Sequence, residues 1–210
     1  IIAYRIATEN LVHKISDTDL PTKYGDFRVY GFVSDVDKSE PLALVKGKIS
    51  NKKTTLVRVH SECTTGDLMG SLRCDCGDQL ELALNKISKA DSGVLVYMRQ
   101  EGRGIGLLNK LKAYKLQDEG LDTVDANLSL GFKMDLRSYG IGAQILRSLG
   151  VKKFDLLTNN PKKVIGLEGF GLSMEKQIPL VAKTNSNNEF YIETKVKKMG
   201  HNIDLKNSKR

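Results

Sequence analysis

The sequence of 210 residues has no tryptophan, four prolines and three cysteines, and aromatic residues make up 6% of it. So few aromatics leave little material for a platform on which single-stranded nucleic acid stacks, although binding along its backbone stays open on this ground. Scarce proline and the lack of a low-complexity tract argue against a disordered or fibrous chain. No stretch approaches the roughly 20 apolar residues that span a bilayer, and no basic region followed by an apolar stretch and a cleavage site opens the chain. The expected location is therefore the cytoplasm, with no membrane partner. Three closely spaced cysteines do not make a disulfide framework and suit metal thiolates in a reducing compartment.

What is present is an ordinary globular composition, 40% hydrophobic and 28% charged, in a chain long enough to bury a real core. The net charge of +8 points to an anionic partner without choosing between nucleic acid and a phosphorylated metabolite. Part of it is local: Lys195, Lys197, Lys198, Lys206, Lys209 and Arg210 crowd the C-terminal end, which reads as a solvated helix face followed by a frayed tail. Ile1 in place of a methionine is expected of a fragment or processed product.

The stretch from Ile1 to Val12 has few breakers and reads as a helix, and Leu20-Pro21 marks entry to a different kind of structure. Tyr24 to Val33, Leu42 to Ile49 and Thr55 to Val59 read as strands. Leu80, Ala83, Leu84 and Ile87 recur at helical spacing, and Gly93 to Met98 is a buried strand. Leu107, Leu108, Leu111 and Tyr114 mark a helix ending near Gly120, and Ser138 to Leu149 another, closed by Gly150. Phe154 to Thr158 is a strand feeding a helix that Asn159-Asn160-Pro161 caps. The alternation predicts an α/β fold of mixed β-sheets with flanking helices.

Cys63, ten residues, then Cys74-Asp75-Cys76 puts two thiols on one tight loop and a third within reach. Thiolates favour zinc; three protein ligands leave a catalytic ion one open place, whereas a structural ion takes four. His60 is the residue that would close the site as a structural Cys₃His knot. His60-Ser61-Glu62 also matches the His-x-Glu half of a nucleobase deaminase signature, but the Pro-Cys-x-x-Cys half is missing. Gln100-Glu101-Gly102-Arg103-Gly104-Ile105-Gly106 lies between strand and helix, where glycines let backbone amides approach a phosphate. Glu101 there suits guanine and Arg103 suits phosphate. In Thr158-Asn159-Asn160-Pro161-Lys162-Lys163 a hydroxyl, amides and ammonium groups converge at a strand end. Asp135 and Arg137, two apart, suit an ion pair.

From Leu20 to His201 the chain resembles GTP cyclohydrolase II, through RVHSECTTGDLMGSLRCDCGDQLELAL, YMRQEGRGIGLLNKLKAYKLQDEGLDTVDAN, the aspartate and arginine of MDLRSYGIGAQIL, LLTNNPKK and ETKVKKMGH. The resemblance implies one zinc per subunit on Cys63, Cys74 and Cys76, with water and not His60 in the fourth place. It implies GTP contacts from Arg58, Val59, His60, Ser61, Glu62, Gln79, Glu101, Gly102, Arg103, Thr123, Thr158 and Lys163. The implied catalytic residues are Asp135, Arg137 and Tyr114, with Arg137 acting at the α-phosphorus, Asp135 accepting a proton, and Mg²⁺ on the triphosphate. The implied reaction is hydrolysis of GTP to a diaminopyrimidinone ribosylamino phosphate, formate and pyrophosphate, the first step of riboflavin biosynthesis. GTP is then the small-molecule partner, with no nucleic acid and a homodimeric assembly.

The opening IIAYRIATENLV is similar to the join with dihydroxybutanone phosphate synthase in bifunctional riboflavin proteins. Residues 1–19 are thus expected to be the tail of an interdomain linker, 20–201 the catalytic domain, and 202–210 a flexible tail.

Overall fold

A computed structural model describes residues 9–167 and 170–204. The helix expected over the first residues falls mostly outside them. The strands are β1 (Val12–Thr22), β2 (Gly25–Ser34), β3 (Leu42–Lys46), β4 (Thr55–Ser61), β5 (Gly93–Met98), β6 (Lys153–Leu157) and β7 (Ser173–Ile178). The helices are α1 (Cys76–Ser88), α2 (Leu107–Asp118), α3 (Thr123–Ser129), α4 (Gly140–Ser148), α5 (Pro161–Leu167) and α6 (Glu189–Met199). A mixed α/β fold is what the alternation predicted. The described chain divides into two compact units, 9–60, 82–99 and 138–180 in one, 61–81, 100–137 and 181–204 in the other.

The first unit is built on a single seven-stranded sheet in the order β1-β2-β3-β5-β4-β6-β7. The β1-β2, β2-β3 and β3-β5 pairs are antiparallel, and β4-β6 and β6-β7 are parallel. The boundary expected at Leu20-Pro21 lies inside β1, which pairs with β2 from Val12 to Thr22. β1 is an edge strand, where proline is tolerated because its missing N–H need not face a partner. The apolar run Val94-Leu95-Val96 is buried on both faces, as the middle of a sheet requires. Phe32, Val57, Val59, Val96, Ile145, Leu146, Phe154 and Leu156 belong to one buried cluster, each such side chain contributing about 1.5–3 kcal/mol. Gly142 of α4 belongs to this packing: a Cβ there would sit 3.3 Å from Val59 Cγ1 and 3.5 Å from Met98 Sδ.

The second unit is helical, with α2, α3 and α6 around the cysteine segment. Asp122 caps α3, its carboxylate accepting from the backbone N–H groups of Val124 and Asp125 at 2.8 and 3.0 Å. Lys198 of α6 pairs with Asp122 and, at 2.8 Å, with Asp125. The α2 pattern resolves differently from its apolar spacing: Leu108 is 75% exposed, while Lys110 and Ala113 are buried. That helix turns a polar face inward because a polar cluster is what it packs on. Among the described residues no helix is long and apolar enough to cross a membrane.

Candidate active site

Cys63, Cys74 and Cys76 bring their sulfurs within 4.8 Å of one another, and Cys63 Sγ lies 3.7 Å from Cys74 Sγ. Tetrahedral zinc with bonds of about 2.3 Å needs sulfur–sulfur edges of about 3.8 Å, so the donor set fits that ion. After Cys63 the chain makes one π-helical turn, Thr64–Leu68, closed by Asp67 N–H donating to Cys63 O at 2.7 Å and Cys63 N–H donating to Asp67 Oδ2 at 3.0 Å. Gly66 on this turn lies against the sulfurs: a Cβ would meet Cys74 Sγ at 3.0 Å and Cys63 Sγ at 3.1 Å. The group holds no histidine. His60 belongs to the first unit, buried and stacked on Tyr97 with ring centroids 5.6 Å apart.

Bonds from the Cys74 and Cys76 thiols, reinforced by Lys110, hold Cys63 well below the ordinary cysteine range. Cys63 in turn pushes Cys74 up to about 11, and Cys76 is raised further by both neighbours. Lys110 Nζ donates to Cys63 Sγ at 3.0 Å, Thr65 Oγ1 at 2.8 Å and Glu101 Oε1 at 2.9 Å. Burial works against this ammonium, but the Cys63 sulfur and Glu101 outweigh it and raise its pKa. Besides Lys110, Glu101 accepts from Gly102 N–H on Oε1 at 2.8 Å and from Thr64 N–H on Oε2 at 2.6 Å. Its carboxylate, expected to read guanine, here ties the glycine loop to the cysteine turn.

Asp75, between the paired cysteines, is buried and ion-paired with Lys195 of α6; Gln79 Nε2 donates to its other oxygen at 2.6 Å. Desolvation opposes ionisation of Asp75, and Lys195 overcomes it, holding the carboxyl below the usual range. Lys195 was expected on a solvated face. It is buried instead because the Cys-x-Cys turn carries a buried carboxylate that needs a cation.

A cleft partly open to solvent lies within the second unit, with the three cysteines, Glu101 and Lys110 in its lining. Of the expected residues, Ser61, Glu62, Gly102, Arg103 and Thr123 line it. So do Tyr114 and Arg137, with the cysteines and Glu101; Gln79 turns to Asp75 instead. Gly102 and Arg103 both have left-handed backbones, φ 60° and 62°. Both terminal nitrogens of Arg103 are shielded from solvent and have no hydrogen-bond partner among the described residues, and the guanidinium lies 5.9 Å over the Tyr191 ring. Tyr114 Oη is 3.2 Å from Thr65 Oγ1, and burial raises its pKa, so the phenol keeps its proton at neutral pH. Asp135 and Arg137 form the expected ion pair as a fork: Arg137 Nε donates to Asp135 Oδ1 at 2.9 Å and an Arg137 terminal nitrogen to Oδ2 at 2.7 Å. Desolvation opposes the charge on Asp135, and Arg137 more than offsets it, lowering the pKa.

The remaining expected residues lie in the first unit. Arg58 donates to Leu157 O at 2.8 Å, and Lys163 Nζ donates to Val59 O at 2.7 Å, both side chains buried. Thr158 Oγ1 accepts from Asn160 N–H at 3.0 Å. Sequence reasoning did not single out Lys110, Asn127, Tyr191 or the Asp75–Lys195 pair. A signal existed for Lys110, which stands one helical turn before Tyr114 on one face of α2.

A family model described as GTP cyclohydrolase II matches residues 13–179. The chain is 56% identical over 205 residues to the riboflavin biosynthesis protein RibBA of Bacillus cytotoxicus, covering 98% of this chain and 52% of that protein. It is 56% identical over 202 residues to RibBA of Bacillus subtilis, covering 96% and 51%. The chain thus spans about half the length of the curated relatives it matches. The crystal structure of RibBX, a two-domain 3,4-dihydroxy-2-butanone 4-phosphate synthase from A. baumannii, superposes with TM-score 0.51 at 30% identity, covering 84% of this chain and 43% of that one.

Proposed function

We propose that this chain, which belongs to the GTP cyclohydrolase II family, hydrolyses GTP to a diaminopyrimidinone ribosylamino phosphate, formate and pyrophosphate in riboflavin biosynthesis. The observation that carries the reading is Arg103. A guanidinium whose terminal nitrogens are shielded from water and lack a hydrogen-bond partner among the described residues is costly to keep, and it lines the same cleft as three cysteines spaced for zinc. A phosphorylated substrate whose reacting atom must meet a metal satisfies both halves of that arrangement.

Zinc on Cys63, Cys74 and Cys76 would supply the Lewis acidity that activates water for attack at C8. Arg103 binds phosphate oxygens by charge-assisted hydrogen bonds. Arg137, held in a fork by Asp135, stays a charged clamp on the α-phosphate, since guanidinium pKa values above about 12 resist deprotonation. Tyr114, neutral beside Thr65, orients the water that cleaves the formamide, and Glu62 moves the proton. Thr123, which lines the cleft, adds to GTP binding there, with Mg²⁺ neutralising the triphosphate. The three free cysteines suit a cytoplasmic enzyme. Fusion to an N-terminal dihydroxybutanone phosphate synthase fits the RibBA relatives. Homodimerisation fits the adjacent Leu68 and Met69, 79% and 72% exposed.

Incubation with GTP, Mg²⁺ and Zn²⁺ and mass analysis of the products tests this reading. The diaminopyrimidinone with formate is expected. Pyrophosphate with intact guanine, or with a retained formamide, would mark a truncated reaction and contradict it.

A further inference from the structure

The cleft contains a second orphan whose chemistry differs from that of Arg103. Asn127 on α3 lines it and is 1% exposed; its Nδ2 is shielded from solvent and has no hydrogen-bond partner among the described residues. The side chain is not spent on its helix. Asp122 caps the start of α3, and the backbone carbonyl of Asn127 already accepts from Leu130 and Phe132 N–H at 3.2 and 3.0 Å. A buried amide donor without an acceptor is a standing penalty that a hydrogen-bonded ligand removes.

The carboxylate expected to read the base, Glu101, accepts from Lys110, Gly102 and Thr64, and as an ionised carboxylate it can only accept hydrogen bonds. The O6 and N7 acceptors of guanine therefore need a donor in the cleft that Glu101 cannot supply. A neutral amide in a water-shielded position matches the neutral edge of a base better than a phosphate, for which Arg103 supplies the cation. Resting on the GTP reading above, we infer that Asn127 is a specificity-determining residue whose side-chain amide donates to a ring acceptor of the purine, O6 or N7. A site built to hydrogen-bond a substrate atom rejects the analogue that lacks it.

The test compares wild type with Asn127→Ala and, to preserve shape, Asn127→Asp and Asn127→Leu, each first checked for an unchanged melting transition. Binding is read by displacement of a fluorescent GTP analogue. The competitors are GTP, the triphosphate with N7 replaced by carbon, and the triphosphate lacking O6. Every variant that folds should bind GTP on the order of 10-fold or more weakly, with Asn127→Asp the worst because it sets acceptor against acceptor. For one of the two analogues the variant-to-wild-type ratio should collapse to about one, identifying the partner atom. Unchanged GTP binding in the variants, or an equal penalty for GTP and both analogues, overturns the inference. Wild type that releases no formate from GTP contradicts the functional reading separately, and the displacement ratios still decide the role of Asn127.

Discussion

Arg103 sits in a backbone region that costs a residue with a Cβ about 1–2 kcal/mol, where glycine is free. The glycines on either side of it, Gly102 and Gly104, also have positive φ, so the position is one where glycine would be the stable choice. An arginine that is strained in its backbone and unpaired at its tip is better explained by a bound anion than by stability. Arg103→Gly should therefore be more stable than Arg103→Ala by about 1 kcal/mol, with both losing on the order of 10-fold or more in kcat/KM for GTP. Chemical denaturation and steady-state kinetics check the two halves. Asp135 makes a prediction of opposite kind. Its folded pKa lies below the ordinary 3.8, so the Arg137 pair stabilises fully above that value and is lost as pH falls through the folded pKa. Urea unfolding should show a constant gap between wild type and Asp135→Asn from neutral pH down to about 4, closing below it. A gap that widens on acidification contradicts the assignment.

The elements that hold the site were legible to unequal degrees. β5 and the helix after the cysteines follow their periodicity because their burial is one-sided or complete, and a hydrophobic pattern encodes that. α2 misleads for the same reason: Leu108 and Leu111 are exposed, and the residues that matter on its inner face are a lysine and a tyrosine. A polar face turned to a polar site leaves no apolar rhythm. α6 is the sharper case. Its lysines look alike in sequence, yet Lys195 and Asp75 have side chains 8% and 2% exposed, whereas Lys197 and Glu193 are 68% and 33% exposed. Only partner contacts 120 residues apart in the chain distinguish them. Breaking a buried pair costs about 3–5 kcal/mol, and an exposed pair contributes less than about 1 kcal/mol. Lys195→Met should thus destabilise severely and Lys197→Ala barely, as measured by urea titration. Equal effects would mean that Lys195 is solvated in solution.

Across the whole chain, the family was readable because the resemblance rests on several long motifs, and the family model spans residues 13–179. The spacing of Cys63, Cys74 and Cys76 alone left His60 open as a fourth ligand; the structure adds that the three sulfurs lie within 4.8 Å of one another. Sequence motifs could not show how the second unit divides the work. Glu101 and Lys110 hold the cysteine turn, Asp75 and Lys195 hold the Cys-x-Cys loop, and Arg103 and Asn127 are left with unsatisfied donors in the cleft. Hydrolysis of the purine ring of GTP at the three cysteines is the proposal on which the rest depends. Its most direct test is formate release from GTP by metal-stripped protein, by the same protein reloaded with zinc, and by Cys74→Ser. Formate that appears only with zinc and is abolished in Cys74→Ser is the predicted result; formate from the stripped protein or from Cys74→Ser would contradict it.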